Sequence, residues 1–298
     1  MRPSRDTAAG RAYLDLQAKA KAERQPTDAL LTLYALEGFL ARLSASGHRD
    51  ALVLKGGVLL AAFLVRRPTR DIDLQAQAVP NDTDSVLDLV RGIAASPPVG
   101  GVDDGLVFDA EHATAEVIRD EDAYSGVRVS LGATLLTARI RFHVDVNVGD
   151  PIVPAPESVG LPRLLGGSVE LRGYPMPMVH AEKIVTALAR GTANTRWRDF
   201  GDVYILSGTH EVTAADLHAA MATVAAHREV ELQPLQVVLD GYELIAQTKY
   251  AAWRRKHRRD ELPQHFVDLL AAVIAFADPV LIDGTSGATW HPGRRIWQ

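Results

Sequence analysis

The sequence predicts an α+β protein in which a mixed sheet with flanking helices is followed by a mainly helical C-terminal lobe. Residues 52–74 read as a strand, a glycine turn, a helix and a second strand. Residues 106–148 hold several segments rich in Val, Ile and Thr that are typical of strands. Beyond Tyr174 nearly every segment has helical character. These three stretches indicate a sheet-based core that comes before a helical part.

A proline-rich segment suggests where the two parts of the chain meet. Pro151 to Gly160 contains three prolines and marks a change in character. We therefore predict a core domain at residues 1–155 and a mainly helical domain at residues 156–298, with a cleft between the two lobes. With 298 residues, 47% of them hydrophobic, the chain can bury a sizeable core.

Composition limits the partners, the kinds of metal site and the cellular location that we expect for the protein. The formal charge of −5 argues against indiscriminate binding of nucleic acid, although a local basic surface remains compatible with it. The absence of cysteine excludes disulfides and thiolate metal sites. Met1 to Pro26 lacks the apolar core of a signal peptide, and the runs Val58 to Val65 and Leu269 to Ala277 are too short to span a bilayer. We expect a soluble, cytoplasmic protein.

The elements of the core domain follow from local patterns. Thr27 is a plausible cap for a helix over Asp28 to Leu43. The next expected elements are a strand at Leu52 to Leu54, a buried helix at Val58 to Val65, a strand that starts at Asp71 and a helix at Asp82 to Ala95. Ser96 to Gly101 reads as a loop.

Lys55-Gly56-Gly57 separates the first strand from the apolar helix. Glycines let backbone N–H groups approach a phosphate, and a helix N-terminus adds partial positive charge. The segment has neither the Walker A spacing nor the Gly-x-Gly-x-x-Gly fingerprint, so a P-loop and a dinucleotide fold are not supported. A basic turn, Arg66 to Arg70, then leads into the next strand.

Asp71 and Asp73 stand two residues apart on that strand, so both face one side while Ile72 and Leu74 face the core. Two adjacent carboxylates repel unless a cation lies between them. Mg²⁺ is the natural candidate because it takes carboxylates, waters and phosphate oxygens. The alternative interpretation is a strand end with two solvated aspartates.

Residues 139–148 alternate polar and apolar side chains. Asp145 and His143 therefore share a face, opposite to Phe142 and Val144. Asp145 is placed to join the first two aspartates across a sheet. His143 could assist, but a histidine on a polar strand face is more often a bystander.

Two helical segments carry further charges. Lys183 lies in a helix-like stretch over Ala181 to Arg190, and an ammonium there suits a triphosphate. Asp199 and Asp202 lie three residues apart on one helix face, close to Arg196 and Arg198. The alternative interpretations are a surface lysine and an intrahelical network of salt bridges.

These motifs, in this order, resemble the nucleotidyltransferase superfamily that includes DNA polymerase β. Within it they are most similar to the AbiEii-like toxins of bacterial toxin–antitoxin systems, including the mycobacterial toxins that modify tRNA. The resemblance rests on Gly56-Gly57 before Asp71-Ile72-Asp73, on Val144 to Asp150, on Ala181-Glu182-Lys183 and on Arg196 to Tyr204. It runs from about Leu30 to Leu206. Arg198 stands where the family more often has lysine.

The resemblance implies a nucleotidyltransferase fold and a metal-dependent reaction. A nucleoside monophosphate would pass from an NTP to the 3′ end of tRNA, which blocks aminoacylation and translation, and a cognate antitoxin would be the partner. Mg²⁺, or Mn²⁺, would be held by Asp71, Asp73 and Asp145. The expected catalytic residues are Asp71, Asp73, Asp145, Lys183 and Asp199. The residues expected to bind the nucleotide are Lys55, Gly56, Gly57, Arg70, Lys183 and Asp202.

A basic patch follows Trp253, and Arg294-Arg295 forms a smaller one. Clustered cations beside an aromatic ring suit RNA phosphates and a stacked base. The expected RNA-binding residues are Arg254, Arg255, Lys256, Arg258 and Arg259. The alternative interpretation of the patch is a solvated helix face.

Two other functions stay open at this point. The same site could act on a small hydroxyl compound or on a protein side chain. A non-catalytic module that binds a nucleotide or a partner is the alternative outside enzymes, and a missing carboxylate would be its mark. All three aspartates are present.

Overall fold

The computed structural model describes residues 3–63, 69–119, 125–282 and 287–298. Its contacts divide the chain into two compact units. Unit 1 holds residues 1–150 and 156–174, and unit 2 holds residues 151–155 and 175–298. The end of the predicted helix at Val58 to Val65 and most of the basic turn at Arg66 to Arg70 lie outside the described residues.

Unit 1 is built on a mixed sheet with the strand order β3-β4-β5-β2-β1-β7-β6. The described strands are β1 (Leu52–Lys55), β2 (Asp71–Ala76), β3 (Leu106–Arg119), β4 (Ser125–Leu135), β5 (Ala138–Val148), β6 (Glu157–Pro162) and β7 (Ser168–Gly173). β2 runs parallel to β5, and β1 runs parallel to β7. The other neighbouring pairs are antiparallel.

The described helices of unit 1 are α1 (Ala8–Glu23), α2 (Thr27–Ala45), α3 (Gly56–Leu59) and α4 (Thr83–Ala95). Phe39 of α2 packs edge-to-face on Phe142 of β5 and on Phe108 of β3. Such aromatic pairs contribute about 0.5–1.5 kcal/mol each beyond their buried area. Because Phe142 alternates with His143 and Asp145, this packing leaves the polar side chains on the opposite face of β5.

Two predicted elements differ in detail from the structure. α3 ends at Leu59, and the chain continues in hydrogen-bonded turns as far as Phe63. Thr27 is the first residue of α2 and makes no capping bond, since Pro26 occupies the cap position. Asp82, in contrast, caps α4 by accepting the backbone N–H of Ser85.

Residues 156–174 belong to unit 1, whereas the boundary predicted after residue 155 assigned them to the helical domain. The reason is non-local pairing. β6 and β7 form a hairpin, and β7 joins β1 with Leu54 opposite Gly173. The backbone N–H of Tyr174 also donates to the carbonyl of Leu54 at 3.0 Å.

Unit 2 is mainly helical. Its described helices are α5 (Met176–Arg190), α6 (Trp197–Ser207), α7 (Ala214–His227), α8 (Leu235–Val238), α9 (Tyr242–Lys256) and α10 (Phe266–Leu281). A small antiparallel sheet joins β8 (Val212–Thr213), β9 (Thr289–His291) and β10 (Ile296–Trp297). Trp197, Tyr242 and Phe266 pack together in the core, with ring centroids 5.2–5.8 Å apart.

The predicted α+β class is confirmed by a seven-stranded mixed sheet with flanking helices and by the helical content of unit 2. Among the described residues, no helix has both the length and the apolar character needed to cross a membrane.

Candidate active site

Four charged residues lie in one row across neighbouring strands of the unit 1 sheet. Lys55 on β1 pairs with Asp73 on β2, Asp73 pairs with Asp145 on β5, and Asp145 pairs with Arg128 on β4. Side chains of directly paired residues point to the same face of a sheet. The row therefore places two adjacent carboxylates between two cations.

The glycine turn after β1 contacts Asp73 directly. Gly56 has a φ of +66°, and a Cβ there would lie 1.8 Å from Oδ2 of Asp73. The backbone N–H of Gly57 donates a hydrogen bond to the Asp73 carboxylate. Only glycine fits at position 56, because a side chain would be strained there and would collide with the carboxylate.

The charge on Asp73 is disfavoured by its surroundings. Burial raises the pKa of Asp73, and the nearby charges of Asp145 and Asp71 raise it further. Lys55 and the Gly57 hydrogen bond oppose this rise, but the net shift is upward. A raised pKa at one of two adjacent carboxylates is an electrostatic pattern that is common at functional sites.

The other two aspartates have defined partners. Arg128 holds Asp145 with two bonds, Nε to Oδ1 at 2.8 Å and Nη2 to Oδ2 at 2.7 Å. This fork raises the pKa of Arg128. Nδ1 of His143 lies 3.0 Å from Oδ1 of Asp71, because these residues face each other on β5 and β2. His143 thus contacts one of the predicted site aspartates.

Lys55 and Arg70 occupy different surroundings. Lys55 is buried, and its Nζ lies 3.3 Å from Oδ2 of Asp150 and 5.6 Å from the ring centre of Tyr174. Arg70 is exposed immediately before β2. Lys55 therefore acts in this state as a buried counter-charge within the row, while the Arg70 side chain is open to solvent.

The donor set can be tested against the metal that the resemblance implies. Asp71, Asp73 and Asp145 offer hard oxygen atoms on one sheet face, which is the chemistry that Mg²⁺ and Mn²⁺ prefer. Among the described residues, however, no three acidic or histidine side chains converge as a ready metal cage. Each carboxylate oxygen has two lone pairs, so the bonds to Arg128 and His143 leave capacity for a metal. The residues fit the ion in type and charge.

The predicted helical residues form a second charged cluster, within unit 2. Nζ of Lys183 on α5 lies 3.2 Å from Oδ1 of Asp199 and 2.9 Å from Oδ2 of Asp202, both on α6. Arg196 adds a bond of 2.7 Å to the other oxygen of Asp199. Burial alone would raise the pKa of Asp199, but Lys183, Arg196 and Arg198 together lower it.

The basic patch divides into two kinds of side chain. Arg255, Lys256 and Arg258 are exposed. Arg254 instead donates to the carbonyls of Leu262 and Asp260, and Arg259 is buried and forms an ion pair with Glu261. Of the five predicted residues, the first three are therefore the ones whose side chains are open to solvent.

Two residues of the site were not predicted from the sequence, namely Arg128 and the Lys55 partner Asp150. Arg128 belongs to no motif. Alternation with the buried Val127 and Val129 places it on the polar face of β4, but its position opposite Asp145 depends on the pairing of β4 with β5. Asp150 lies two residues after the end of β5, and the sequence pattern alone assigns it no role.

Comparison with known proteins shows a match to one protein family and similarity to solved structures. A protein-family profile described as "Nucleotidyl transferase AbiEii toxin, Type IV TA system" matches residues 38–276. The chain is similar to the crystal structure of a proposed nucleotidyltransferase from H. pylori, with 12% identity, a TM-score of 0.45, and coverage of 87% of this chain and 96% of that one. It is also similar to JHP933 from Helicobacter pylori, with 11% identity, a TM-score of 0.33, and coverage of 78% and 95%. No curated protein matches the chain.

Proposed function

Because this chain belongs to the AbiEii nucleotidyl transferase toxin family of type IV toxin–antitoxin systems, we propose that it transfers a nucleoside monophosphate to the 3′ end of tRNA. The donor would be an NTP with a divalent metal ion, and the modified tRNA would no longer accept an amino acid. The observation that carries the proposal is the Asp73–Asp145 pair in direct register, with Gly56 and Gly57 against Asp73.

The residues of unit 1 would align the reacting groups. Asp71, Asp73 and Asp145 would hold Mg²⁺ or Mn²⁺, and the bound ion would neutralise phosphate charge and orient the triphosphate. Gly56 lets the backbone of the turn pack directly against the Asp73 carboxylate, because the space of a Cβ at this position is taken by Oδ2 of Asp73. Lys55 would limit repulsion among the carboxylates from within the row.

The reaction would exchange one bond to phosphorus for another and would move one proton. The oxygen of the 3′ hydroxyl bonds to the α-phosphorus, the bond from that phosphorus to the bridging oxygen breaks, and pyrophosphate leaves. A carboxylate oxygen of Asp145 accepts the hydroxyl proton, using a lone pair that Arg128 does not occupy. Such chemistry depends on positioning and on neutralising charge.

The charged cluster of unit 2 would help to bind the triphosphate. Lys183 has an ammonium whose orientation is fixed by Asp199 and Asp202. A fixed point charge suits a phosphate group, and the two carboxylates define where it points. We propose that Lys183 binds the triphosphate, that Asp199 and Asp202 position it, and that Arg70 contributes from its exposed site.

The RNA would be held by its backbone. Arg255, Lys256 and Arg258 present positive charge at the end of α9, beside Trp253. Contacts of this kind fix position and orientation but read little sequence. Family membership also implies an antitoxin as the partner of this protein in the cell.

A labelling experiment tests the proposal. The purified protein is incubated with total tRNA, Mg²⁺ and each α-labelled NTP in turn, next to Asp73→Ala and the matched control Asp50→Ala, whose carboxylate is 80% exposed. We expect label in tRNA with one NTP, lost with Asp73→Ala or EDTA and retained with Asp50→Ala.

Two other results would contradict parts of the proposal. Label in a small molecule or in protein, with none in RNA, would retain the transferase and discard tRNA as the substrate. The absence of label with every NTP and every acceptor would overturn the enzymatic assignment and favour a binding module.

A further inference from the structure

We propose that Arg128 is a positioning residue that sets the carboxylate plane of Asp145 for binding a divalent metal ion. The inference rests on the proposed function, because it assigns a role within the same metal site. Arg128 lies outside the matched sequence motifs, and it enters the site only through the pairing of β4 with β5.

Arg128 contacts Asp145 in the shape of a fork. Nε and Nη2 of Arg128 each bond to a different oxygen of Asp145, at 2.8 Å and 2.7 Å. Two parallel bonds from a rigid planar fork fix the plane of the carboxylate as well as its distance. A single bond from a lysine ammonium would leave that plane free to rotate.

The neighbouring strands place Arg128 between two carboxylates. It sits directly opposite Asp145 and opposite Glu116 on β3, so it is flanked by carboxylates on both neighbouring strands. Both carboxylates favour its charged form. The two hydrogen bonds to Asp145 hold the guanidinium on that side rather than on the side of Glu116.

Asp145 keeps lone pairs for a metal ion beside the two bonds from Arg128. Asp145 is largely buried, with 11% of its side chain exposed, so few other groups can orient it. The fork uses one lone pair on each oxygen and leaves the others for a metal. Partners that hydrogen-bond a metal-binding carboxylate commonly change metal affinity by about 10–100-fold when they are removed.

Orientation and charge have different consequences for metal choice. Mg²⁺ requires nearly ideal octahedral geometry, while Ca²⁺ accepts flexible arrangements. Loss of orientation should therefore weaken Mg²⁺ more than Ca²⁺. A change in charge alone acts on both divalent ions alike, so the ratio of the two affinities isolates the effect of orientation.

The test uses metals and the full-length protein without nucleotide. Mn²⁺ binding is followed by the electron paramagnetic resonance signal of free Mn²⁺, and Mg²⁺ or Ca²⁺ is added as a competitor. We expect the Mg²⁺ to Ca²⁺ affinity ratio to fall about tenfold in both Arg128→Gln and Arg128→Lys. The lysine variant keeps the charge and loses only the fork. Arg139→Gln and Arg139→Lys, at an exposed arginine of β5, should keep the wild-type ratio.

The outcomes separate the positioning role from the site itself. If wild type and Asp73→Asn bind Mn²⁺ equally, no metal site exists at these aspartates, and the proposed function fails together with the role of Arg128. If Asp73→Asn loses Mn²⁺ but both Arg128 variants keep the wild-type ratio, the metal site stands and the positioning role is overturned. Thermal unfolding shows whether each variant is folded. If Arg128→Gln is not folded, the affinity ratio of Arg128→Lys alone decides whether Arg128 has the positioning role.

Discussion

Asp73 and Asp145 lie directly opposite each other on the parallel strands β2 and β5, yet their surroundings affect them differently. Burial and Asp145 raise the pKa of Asp73, whereas Asp145 receives the fork of Arg128. A raised pKa in the folded protein means that the contribution of Asp73 to stability falls as pH rises above its unfolded pKa. The two aspartates should therefore respond in opposite ways to loss of charge.

We expect Asp73→Asn to raise the midpoint of thermal unfolding in EDTA at pH 8, because the amide removes a buried negative charge and can still accept from Gly57. The gain should shrink towards pH 4, where the wild-type carboxyl is protonated more. Asp145→Asn should instead lower stability by about 1 kcal/mol, since it loses a charge-assisted pair that is partly exposed. Scanning calorimetry at both pH values checks this, and a loss of stability with Asp73→Asn would contradict it.

Gly56→Ala should abolish activity and reduce stability, because its Cβ would collide with Oδ2 of Asp73. Gly100→Ala is a matched control. Gly100 has nearly the same φ, +65°, but has nothing within 4 Å of the added Cβ. Gly100→Ala should lower the free energy of unfolding only by the backbone strain, about 1–2 kcal/mol. It should keep nucleotide transfer. Urea unfolding and the labelling assay measure the two effects, and equal behaviour of the two variants would exclude the collision.

Lys183→Met should lower both stability and activity, since it leaves the buried carboxylates of Asp199 and Asp202 without this cation. Breaking a buried ion pair typically costs about 3–5 kcal/mol. Adding Asp202→Asn to Lys183→Met should recover much of the stability, while Arg196 still neutralises Asp199. Transfer activity should remain absent from the double variant. Recovered activity would show that Lys183 stabilises the folded protein but has no part in nucleotide transfer.

His180 should make unit 2 sensitive to acid. It is fully buried on α5 beside Phe276, and burial, together with Lys183 and His210, lowers its pKa to about 3. Below pH 6.5 the His180 imidazole is protonated in the unfolded chain but stays neutral in the folded protein. The free energy of unfolding therefore falls on acidification by about 1.4 kcal/mol per pH unit.

Between pH 7.5 and pH 5 this contribution amounts to about 2 kcal/mol. We expect His180→Leu to show a pH dependence of the free energy of unfolding that is weaker by this amount. His218→Leu, at an exposed histidine, should retain the wild-type dependence. Urea titrations across the range provide the comparison, and identical slopes for His180→Leu and wild type would contradict the assignment.

Removing Arg255 and Lys256 together should weaken tRNA binding and flatten its salt dependence. Each phosphate contact contributes about 0.7–0.9 to the slope of log affinity against log salt, so two losses should reduce it by about 1.5. Substituting Lys21 and Arg49, two exposed cations of unit 1, removes the same charge elsewhere. Filter binding from low to high salt distinguishes a local contact from an effect of net charge, which would change both double variants equally.

Local periodicity predicted which faces of β2 and β5 are buried. Ile72 and Leu74 are completely buried, as the alternation along β2 required, and this places Asp71 and Asp73 together on the other face. The same reasoning holds for β5, where Val144 and Val146 are buried. Strand alternation repeats every two residues, so it can be read from a short segment without knowledge of the partner strands.

Arg128 could not be found in the same way, because its role depends on hairpin register. Leu135 pairs with Ala138 across a two-residue turn, and this turn brings Arg128 opposite Asp145. Such turns are usually recognised by Asn-Gly or a related pair. Here Leu136 takes the left-handed conformation, with a φ of 57°, and gives no such signal.

Nothing in the sequence indicated that some cations of the basic patch bond within the chain while others are exposed. Arg254 and Arg259 bond within the irregular segment after α9, and their partners are the carbonyls of Asp260 and Leu262 and the Glu261 carboxylate. Charge clustering identifies a candidate surface, but bonds made in a turn without periodicity depend on the folded backbone.

The pairing of β1 with β7 also bears on how the protein is made. β1 supplies Lys55 to the charged row, and its apolar residues Leu52, Val53 and Leu54 are buried in the finished sheet. During synthesis on the ribosome, one side of β1 stays an open edge until Gly173 has emerged. Open apolar edges attract other chains. A nascent chain halted before β7 would therefore carry all three site aspartates on an unfinished sheet, prone to aggregation and open to proteolysis.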